Sequence, residues 1–220
     1  MNRYYYEFER ANAYCYPDSF VLRNKLDIQD GSVLNDLERE ITSTRIQQAM
    51  DIPVKGKFDL KHLQAIHRFV FSDLYEWAGE LRTVNIAKGN QFCNYLYLED
   101  YADKFFKELK AERYLTKTPP DDFHNRLTHY FSEINVLHPF REGNGRTQRV
   151  FIEYLARSAG RHVDFSTVEG YEMIEASALA YGHEYDMLTD MFRRIVTPIT
   201  EQERREFREK IGIARPKTPR

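Results

Sequence analysis

The residues best suited to chemistry in this chain of 220 residues lie close together between His138 and Arg149. An imidazole with an ordinary pKa of about 6.5 is largely neutral at pH 7, so His138 can accept a proton from an attacking hydroxyl group. Glu142 supplies a hard oxygen ligand, and proteins commonly hold Mg²⁺ with a carboxylate together with the phosphate oxygens of a substrate. A base this close to a metal-binding carboxylate predicts chemistry at a metal-bound phosphate.

The residues after this carboxylate form a candidate cradle for a polyphosphate. Gly143 and Gly145 permit positive φ and close backbone approach, so consecutive N–H groups can point towards an anion. A helix is expected to begin here, and its N-terminus adds unpaired N–H groups and the positive end of its dipole. Asn144 can donate its amide to a phosphate oxygen. Arg146 and Arg149 are three residues apart, so they can share one helix face and grip the outer phosphates.

Each of these features also has an ordinary structural explanation. A histidine at a helix end often serves as a cap, two nearby arginines often cover a solvated helix face, and Gly-Asn-Gly is often only a turn. The chain has no G-x-x-x-x-G-K-[ST] loop, and its G-x-G does not follow a strand. The order and the density of the features, taken together, favour a functional site.

Helices predicted from apolar residues spaced three and four apart surround this segment. A helix that opens at about Gly145 carries both arginines, and the preceding helix brings His138 to its N-terminus. Ser32 is the expected N-cap of the first helix, and Asp121 or Asp122 that of the fourth. The predicted helices span about 32–50, 59–77, 98–113, 121–136, 145–159, 167–180 and 183–196.

One β-hairpin is predicted between the second and third of these helices. β-Branched residues alternate from Leu81 to Ile86, residues 88–90 are a typical turn, and Phe92 to Leu98 can return as a second strand. The first thirty residues are expected to be loop with extended pieces. The predicted fold class is therefore mainly α, with a helical bundle core and one β-hairpin.

The end of the chain differs from the rest. Pro198 is expected to close the packed region, and one domain is expected before it. From Glu201 onwards, seven Lys and Arg and four Glu give a net charge of +3, against −5 for the remainder. The segment is interpreted as a charged helix end with a frayed tail, or as a linker.

Composition narrows the class of protein. Hydrophobic residues make up 42% and charged residues 30%, which is typical of a globular protein. A formal net charge of −2 does not support direct binding of nucleic acid. Cys15 and Cys93 are too few for a disulfide framework, which favours a reducing compartment. Since no apolar signal region or membrane-spanning run is present, a cytoplasmic protein without a membrane partner is expected.

The Fic family has a signature that this chain resembles at His138-x-Phe140-x-Glu142-Gly143-Asn144-Gly145-Arg146-x-x-Arg149. Segments around Phe58–His67 and Tyr75–Val84 are also similar to that family, and the resemblance spans roughly residues 14–196. It implies a Fic domain over residues 1–198, with its core at about 14–196 and a charged helix or tail at 199–220. It also implies an enzyme, a protein adenylyltransferase that moves AMP from ATP to a Tyr, Thr or Ser hydroxyl of a target protein.

The resemblance assigns roles by motif position. His138 would be the catalytic base, and Glu142 would hold Mg²⁺ between the α- and β-phosphates of ATP. The Gly-Asn-Gly turn would form the anion hole, and the two arginines would meet the β- and γ-phosphates. The hairpin would be a flap that clamps the target's backbone by strand addition. Its target-docking residues would be Thr83, Val84, Asn85 and Ile86.

The resemblance also bears on partners. Many family members carry an inhibitory helix with a Ser/Thr-x-x-x-Glu-Gly/Asn motif, whose glutamate pairs with the second arginine. Neither match to the first part of that motif, at Ser72 or at Thr197, is followed by Gly or Asn. This implies inhibition in trans by a small antitoxin that supplies the glutamate to Arg149, as in bacterial toxin–antitoxin pairs. DNA gyrase and topoisomerase IV are the family-level candidates for the target.

Several alternatives stay open at this point. Family members that phosphorylate their target carry lysine at the position of Gly145, so Gly145 favours AMP transfer. Transfer of UMP or phosphocholine, and a role as the Fic domain of a secreted effector, are further possibilities. A non-enzymatic nucleotide-binding module is disfavoured, because a pure binder has no need of a base at His138.

Overall fold

The computed structural model of the protein describes residues 5–6, 14–88 and 90–213. Helices dominate, and two small antiparallel sheets accompany them, which confirms the mainly α fold class. Among these residues, no helix combines the length and the apolarity that a membrane crossing requires. The helices are α1 Gly31–Asp51, α2 Leu60–Phe71, α3 Leu98–Ala111, α4 Phe123–Leu137, α5 Asn144–Ser158, α6 Gly170–Tyr181, α7 Asp186–Ile195 and α8 Glu201–Lys210. The strands are β1 Tyr5–Tyr6, β2 Ile86–Lys88, β3 Asn90–Gln91, β4 Arg161–Val163 and β5 Val196–Pro198.

The first two helices begin at aspartate caps. The Asp30 carboxylate accepts from the backbone N–H groups of Ser32 at 2.8 Å and Val33 at 3.1 Å. The expected cap at Ser32 was therefore wrong by two positions, because Asp30 has the extended backbone of a cap and Ser32 is already helical. At α2, the side chain of Asp59 accepts from the N–H of His62 at 2.9 Å.

α2 ends at Phe71, six residues before the expected end at Trp77. Up to Gly79, the chain continues in turns, and the N–H of Leu74 bonds back to the carbonyl of Phe71 at 3.0 Å. Leu74 and Tyr75 are buried and keep the apolar spacing of a helix, so the sequence pattern does not distinguish these turns from helix. Gly79 ends the segment at φ +84°, a backbone conformation that favours glycine.

The predicted hairpin forms, but its strands are shorter than expected. β2 pairs antiparallel with β3, and Lys88 lies opposite Asn90, while Gly89 of the expected turn lies outside the described residues. β1 extends the sheet on the other side of β2, with Tyr6 opposite Ile86. The sequence analysis did not predict β1.

The segments that flank the hairpin are irregular because their hydrogen bonds go elsewhere. The guanidinium of Arg82 donates to the carbonyls of Val84 and Cys93, which lie where a longer ladder was expected. Beyond them, Tyr95–Tyr97 forms a single 3₁₀ turn instead of a returning strand. A buried side chain therefore replaces the outer part of the predicted strand pairing.

α5 is the most buried helix of the core, and its neighbours hold it from several sides. The Phe151 ring contacts the rings of Phe58 and Phe106 edge-on, at centroid distances of 5.6 and 5.8 Å. The hydroxyl of Tyr154 donates to the carbonyl of Ala49 at the end of α1, at 2.5 Å. Because its C-terminal half is fixed in this way, the N-terminus of α5 has a defined position.

The C-terminal part of the chain differs from its prediction at α7 and at α8. β4 and β5, which the sequence analysis missed, pair with Val163 opposite Val196, so α7 must end at Ile195. α8 is more than a charged helix end, since Phe207 and Ile211, at and just beyond its C-terminus, are buried in the main core. The predicted frayed tail falls on residues 214–220, outside the described residues.

A capping box at the start of α8 makes its contribution to stability measurable. The hydroxyl of Thr200 accepts from the N–H of Glu203, whose carboxylate accepts in return from the N–H of Thr200. Thr200→Ala should lower the free energy of unfolding by about 1 kcal/mol in urea denaturation. Thr44→Ala, at an exposed position inside α1, is the control and should change it by less than about 0.5 kcal/mol. Equal effects of the two changes would contradict the capping role.

Candidate active site

The loop between α4 and α5 closes on itself through the side chain of Asn144. The backbone N–H of Phe140 donates to Oδ1 of Asn144 at 2.8 Å, and Nδ2 of Asn144 donates to the carbonyl of Phe140 at 2.7 Å. The amide was predicted to face a phosphate. It instead shapes the loop, and direct donation to phosphate stays a prediction. Gly143 has φ +80°, and a Cβ there would lie 2.2 Å from the Phe71 ring. The loop therefore has room for glycine only at this position.

His138 lies directly after α4 in the left-handed backbone region, with φ +42°. Its ring is 6% exposed and stacks on the Phe92 ring of the hairpin, at a centroid distance of 3.7 Å. Nδ1 lies 3.2 Å from the carbonyl oxygen of Asn135. A carbonyl can only accept, so Nδ1 carries the ring proton and Nε2 carries the lone pair that a base requires.

The protonation state of His138 at neutral pH follows from its surroundings. Burial lowers the pKa of His138 to about 3, and the nearby charges of Arg82 and Lys88 act in the same direction, while the bond to Asn135 opposes them. The imidazole is therefore neutral at pH 7. A neutral imidazole is compatible with a base, and the role of His138 as the catalytic base stays a prediction.

Glu142 fits the requirements of a magnesium ligand. One of its oxygens accepts from the N–H of Gly143 at 2.9 Å, and Arg146 lies 3.8 Å away. Burial raises the pKa of Glu142, so a divalent cation beside it would stabilise the ionised carboxylate. In the described part of the chain, no three His, Cys, Asp or Glu side chains are grouped to hold a metal. A magnesium ion here would therefore share its coordination between Glu142, phosphate oxygens and water.

The two arginines of the predicted phosphate clamp have different surroundings. Arg146 is bonded to α1, with Nη2 2.5 Å from Glu38 and Nη1 2.9 Å from the hydroxyl of Thr42. Its guanidinium also lies over the Phe71 ring, 4.8 Å from the centroid. Arg149, in contrast, forms no ion pair with any carboxylate among the described residues, and burial together with the charge of Arg146 lowers its pKa. Arg149 is thus the arginine best prepared to receive an anion.

Sequence reasoning missed several residues that complete the site. Glu38, Thr42 and Tyr75 form the pocket that holds the Arg146 guanidinium, and the Tyr75 hydroxyl donates to Glu38. The only signal for Glu38 and Thr42 was a carboxylate and a hydroxyl four residues apart on the buried face of the first helix. That pattern does not point to an arginine more than 100 positions away.

His67 is a second residue that the sequence analysis gave no role. Nε2 of its ring donates to the carbonyl of Glu142 at 3.0 Å, and Nδ1 accepts from the N–H of Gly79 at 2.8 Å. The ring is stacked between Phe71 and Phe140, at centroid distances of 4.6 and 3.9 Å. The neutral imidazole of His67, with both ring nitrogens hydrogen-bonded, therefore holds the loop at Glu142.

The predicted target-docking residues do not form one continuous strand. Only Ile86 lies in β2, whereas Thr83, Val84 and Asn85 precede it in irregular backbone. Val84 and Ile86 are buried, and Thr83 is exposed. The side chain of Asn85 accepts from the N–H of Tyr95, in the 3₁₀ turn after the hairpin, at 3.1 Å. Their role in binding a target stays a prediction.

The fold and site define a helical protein with a neutral histidine in the same loop as a glycine-lined helix N-terminus. The Fic/DOC family model matches residues 57–156. Two relatives that the chain covers almost completely are Probable protein adenylyltransferase y4lH of Sinorhizobium fredii, 38% identical, and Probable protein adenylyltransferase Fic of Escherichia coli, 35% identical. The matches cover 83% and 89% of this chain and 94% and 97% of the relatives. The chain belongs to the Fic/DOC family.

Further similarities extend this comparison. Protein adenylyltransferase VbhT of Bartonella schoenbuchensis is 40% identical over 90% of this chain, but the match spans only 42% of that longer protein. The structure is similar to BepC of Bartonella tribocorum with bound AMPPNP, with a TM-score of 0.80 and 27% identity over 86% of this chain and 98% of that chain. It is also similar to a Bartonella quintana Fic domain with bound ADP, with a TM-score of 0.81 and 29% identity, covering 87% and 97% of the two chains.

The burial of His138 predicts a pH dependence of stability. Its folded pKa lies below the unfolded value of about 6.5, so its stabilising contribution is complete above that pH and is lost as the pH falls. Below pH 6, wild type should lose up to about 1.4 kcal/mol per pH unit more than His138→Ala, measured by urea denaturation. Thr44→Ala changes no titratable group and should keep the wild-type slope. Parallel curves for wild type and His138→Ala would contradict the burial of a neutral ring.

Proposed function

We propose that this protein is a protein adenylyltransferase, which transfers AMP from ATP to a hydroxyl side chain of a target protein. One observation carries the proposal: a buried, neutral His138 with its lone pair on Nε2 lies in the same loop as the glycine-lined N-terminus of α5. The names of the full-length relatives support the activity, and the bound nucleotides of two structural neighbours support the class of substrate.

The proposed reaction is an in-line displacement at the α-phosphorus of ATP. Nε2 of His138 takes the proton of the target's Tyr, Thr or Ser hydroxyl as its oxygen bonds to phosphorus, and the bond to pyrophosphate breaks. The N-terminus of α5, together with Arg146 and Arg149, neutralises charge on the phosphates. Little covalent chemistry is asked of the protein, so positioning and electrostatics account for most of the rate.

Magnesium has a defined place in this proposal. Glu142 would hold the ion, which supplies charge neutralisation at the phosphates when it is bound. The hydrogen bond from Gly143 leaves the second Glu142 oxygen available for a metal. We further propose that the catalytic unit includes α8, because Phe207 packs in the same core as α5.

Radiolabel transfer tests the proposed chemistry directly. Purified wild type, incubated with α-labelled ATP, Mg²⁺ and bacterial lysate, should label a discrete protein band. His138→Ala should lower the labelling by about 100-fold or more, because the base is lost while the phosphate cradle remains. Glu153→Gln, a buried change on the same helix but outside the site, is the matched control and should retain labelling.

The position of the label decides between the alternatives. Label from γ-labelled ATP alone would replace AMP transfer with phosphate transfer. Absence of any label from wild type, in lysates of several species and with UTP also supplied, would overturn the proposed function. The labelled band itself identifies the target, for which DNA gyrase and topoisomerase IV are the first candidates.

Inhibition in trans by a small antitoxin is the proposed form of regulation. Arg149 forms no ion pair within the described chain, so a glutamate from a partner's Ser/Thr-x-x-x-Glu helix could bind it and exclude the γ-phosphate. The proposed reaction uses ATP, and both cysteines are free, so we place the activity in the cytoplasm.

Growth of bacteria that express the protein without its partner tests this regulation. Wild type should slow growth strongly, because no glutamate among the described residues pairs with Arg149, and His138→Ala should not. Equal protein levels are verified by immunoblot. Harmless overexpression of wild type that is fully active in the labelling assay would count against control by an antitoxin.

A further inference from the structure

Arg82 lies beneath the hairpin and is only 2% exposed. Among the described residues, its guanidinium donates only to backbone carbonyl groups of neighbouring segments. Nε donates to His138 at 2.8 Å, Nη1 to Val84 at 2.7 Å, and Nη2 to Cys93 and, at 3.5 Å, to Leu137. One planar side chain therefore bridges three separate pieces of backbone.

Charge pairing does not explain this buried guanidinium. In the part of the chain that the structure describes, Arg82 has no carboxylate within ion-pair distance. Burial lowers the pKa of Arg82 to about 10. Arginine differs from lysine in its rigid, planar fork of N–H donors. The carbonyl groups around Arg82 accept from that fork.

The three pieces of backbone belong to different structural elements. Val84 lies on the approach to β2, Cys93 follows β3, and Leu137 and His138 form the end of α4. A second contact joins the same pieces, because the N–H of Cys93 donates to the carbonyl of Val136 at 2.9 Å. The hairpin and the predicted base therefore share one anchor.

The backbone of His138 has a particular need for such an anchor. Its φ of +42° is uncommon for a residue other than glycine and is strained unless the surroundings hold it. Arg82 holds the peptide groups on both sides of His138, since Nη2 reaches the carbonyl of Leu137 before it and Nε donates to the carbonyl of His138 itself. The backbone N–H of Arg82 also donates to the carbonyl of Pro139 at 2.9 Å. The ring of His138 then stacks on Phe92 from the same hairpin.

We propose that Arg82 is a positioning residue, which couples docking of a target strand on the hairpin to the orientation of the His138 ring. This inference rests on the proposed adenylyl transfer. None of the carbonyls that Arg82 binds belongs to Glu142, the glycine turn or the arginines of the phosphate cradle. Removal of the fork should therefore affect catalysis and target binding while nucleotide binding stays intact.

Two variants distinguish the effect of the planar fork of donors from the effect of the positive charge. Arg82→Lys keeps a positive charge without the planar fork, and Arg82→Met removes both. We expect kcat to fall about 10-fold in the first and about 100-fold in the second, since a misplaced base is that costly. KM for the target should rise in both variants. The affinity for AMPPNP with Mg²⁺, measured by calorimetry, should stay at the wild-type value.

A spectroscopic readout makes the test independent of turnover. In protein labelled with ¹⁵N-histidine, the His138 signals are assigned by their loss in His138→Ala, and they report which ring nitrogen carries the proton. Wild type should show the Nδ1–H form, and both Arg82 variants should show a shifted or mixed form. Thr200→Ala, which loses the capping box of α8, controls for general destabilisation and should keep the wild-type signals and kcat.

The outcomes distinguish this proposal from the proposed function. If wild type labels a target and Arg82→Lys matches it in kcat and in the His138 signals, the positioning role is overturned. Equal losses of nucleotide affinity and kcat in the Arg82 variants would overturn it as well, because that pattern indicates collapse of the whole site. If wild type labels nothing, the adenylyl transfer fails, and unchanged His138 signals in the variants would then overturn the positioning role separately.

Discussion

The pair of hydrogen bonds between the Asn144 amide and the backbone of Phe140 is the constraint on which the site depends. It folds the six residues before α5 into a closed loop, which carries the imidazole at one end and the helix N-terminus at the other. Two further side chains hold the loop: His67 donates to the carbonyl of Glu142, and Arg82 donates to the carbonyl of His138. Because α5 is fixed in the core by Phe151 and Tyr154, the end of the loop that joins α5 is held rigidly. Such rigidity is what positioning of a reacting phosphate requires.

Charge is distributed unevenly around this loop. Glu38 compensates Arg146 in the protein itself, whereas Arg149 has no such partner in the described chain. A bound triphosphate would therefore contact Arg146, which α1 holds in place, and Arg149, which would form an ion pair with the phosphates. The two arginines are equivalent in the sequence motif, but the structure gives them different electrostatic roles. The proposed inhibition by a partner's glutamate depends on the same difference, because Arg149 is the arginine without a carboxylate partner in the described chain.

The helical class, the positions of most helices and the place of the loop between α4 and α5 could be predicted from the sequence, because each depends on local patterns. The closure of that loop by the Asn144 side chain was not predicted. The cap of α1 was misplaced by two residues since Ser32 and Asp30 are both good caps, and only the backbone decides between them. The hairpin strands were predicted too long, because the buried side chain of Arg82 takes the place of backbone hydrogen bonds between the two strands. The alternation of residue types in the sequence does not reveal such a side chain. Glu38 was missed for a related reason: its partner lies 108 positions away. Contacts across such separations leave no periodic trace in one sequence.

The central claim is that a neutral His138 stands over a cradle that holds the phosphates of ATP. A crystal structure of the protein with Mg²⁺ and a non-hydrolysable ATP analogue tests it most directly. The account predicts the β- and γ-phosphates at the N-terminus of α5 against Arg149, the ion on Glu142, and Nε2 of His138 facing the α-phosphate with space for one hydroxyl between them. A nucleotide bound with its phosphates away from α5, or a His138 ring turned from the α-phosphate, would contradict it.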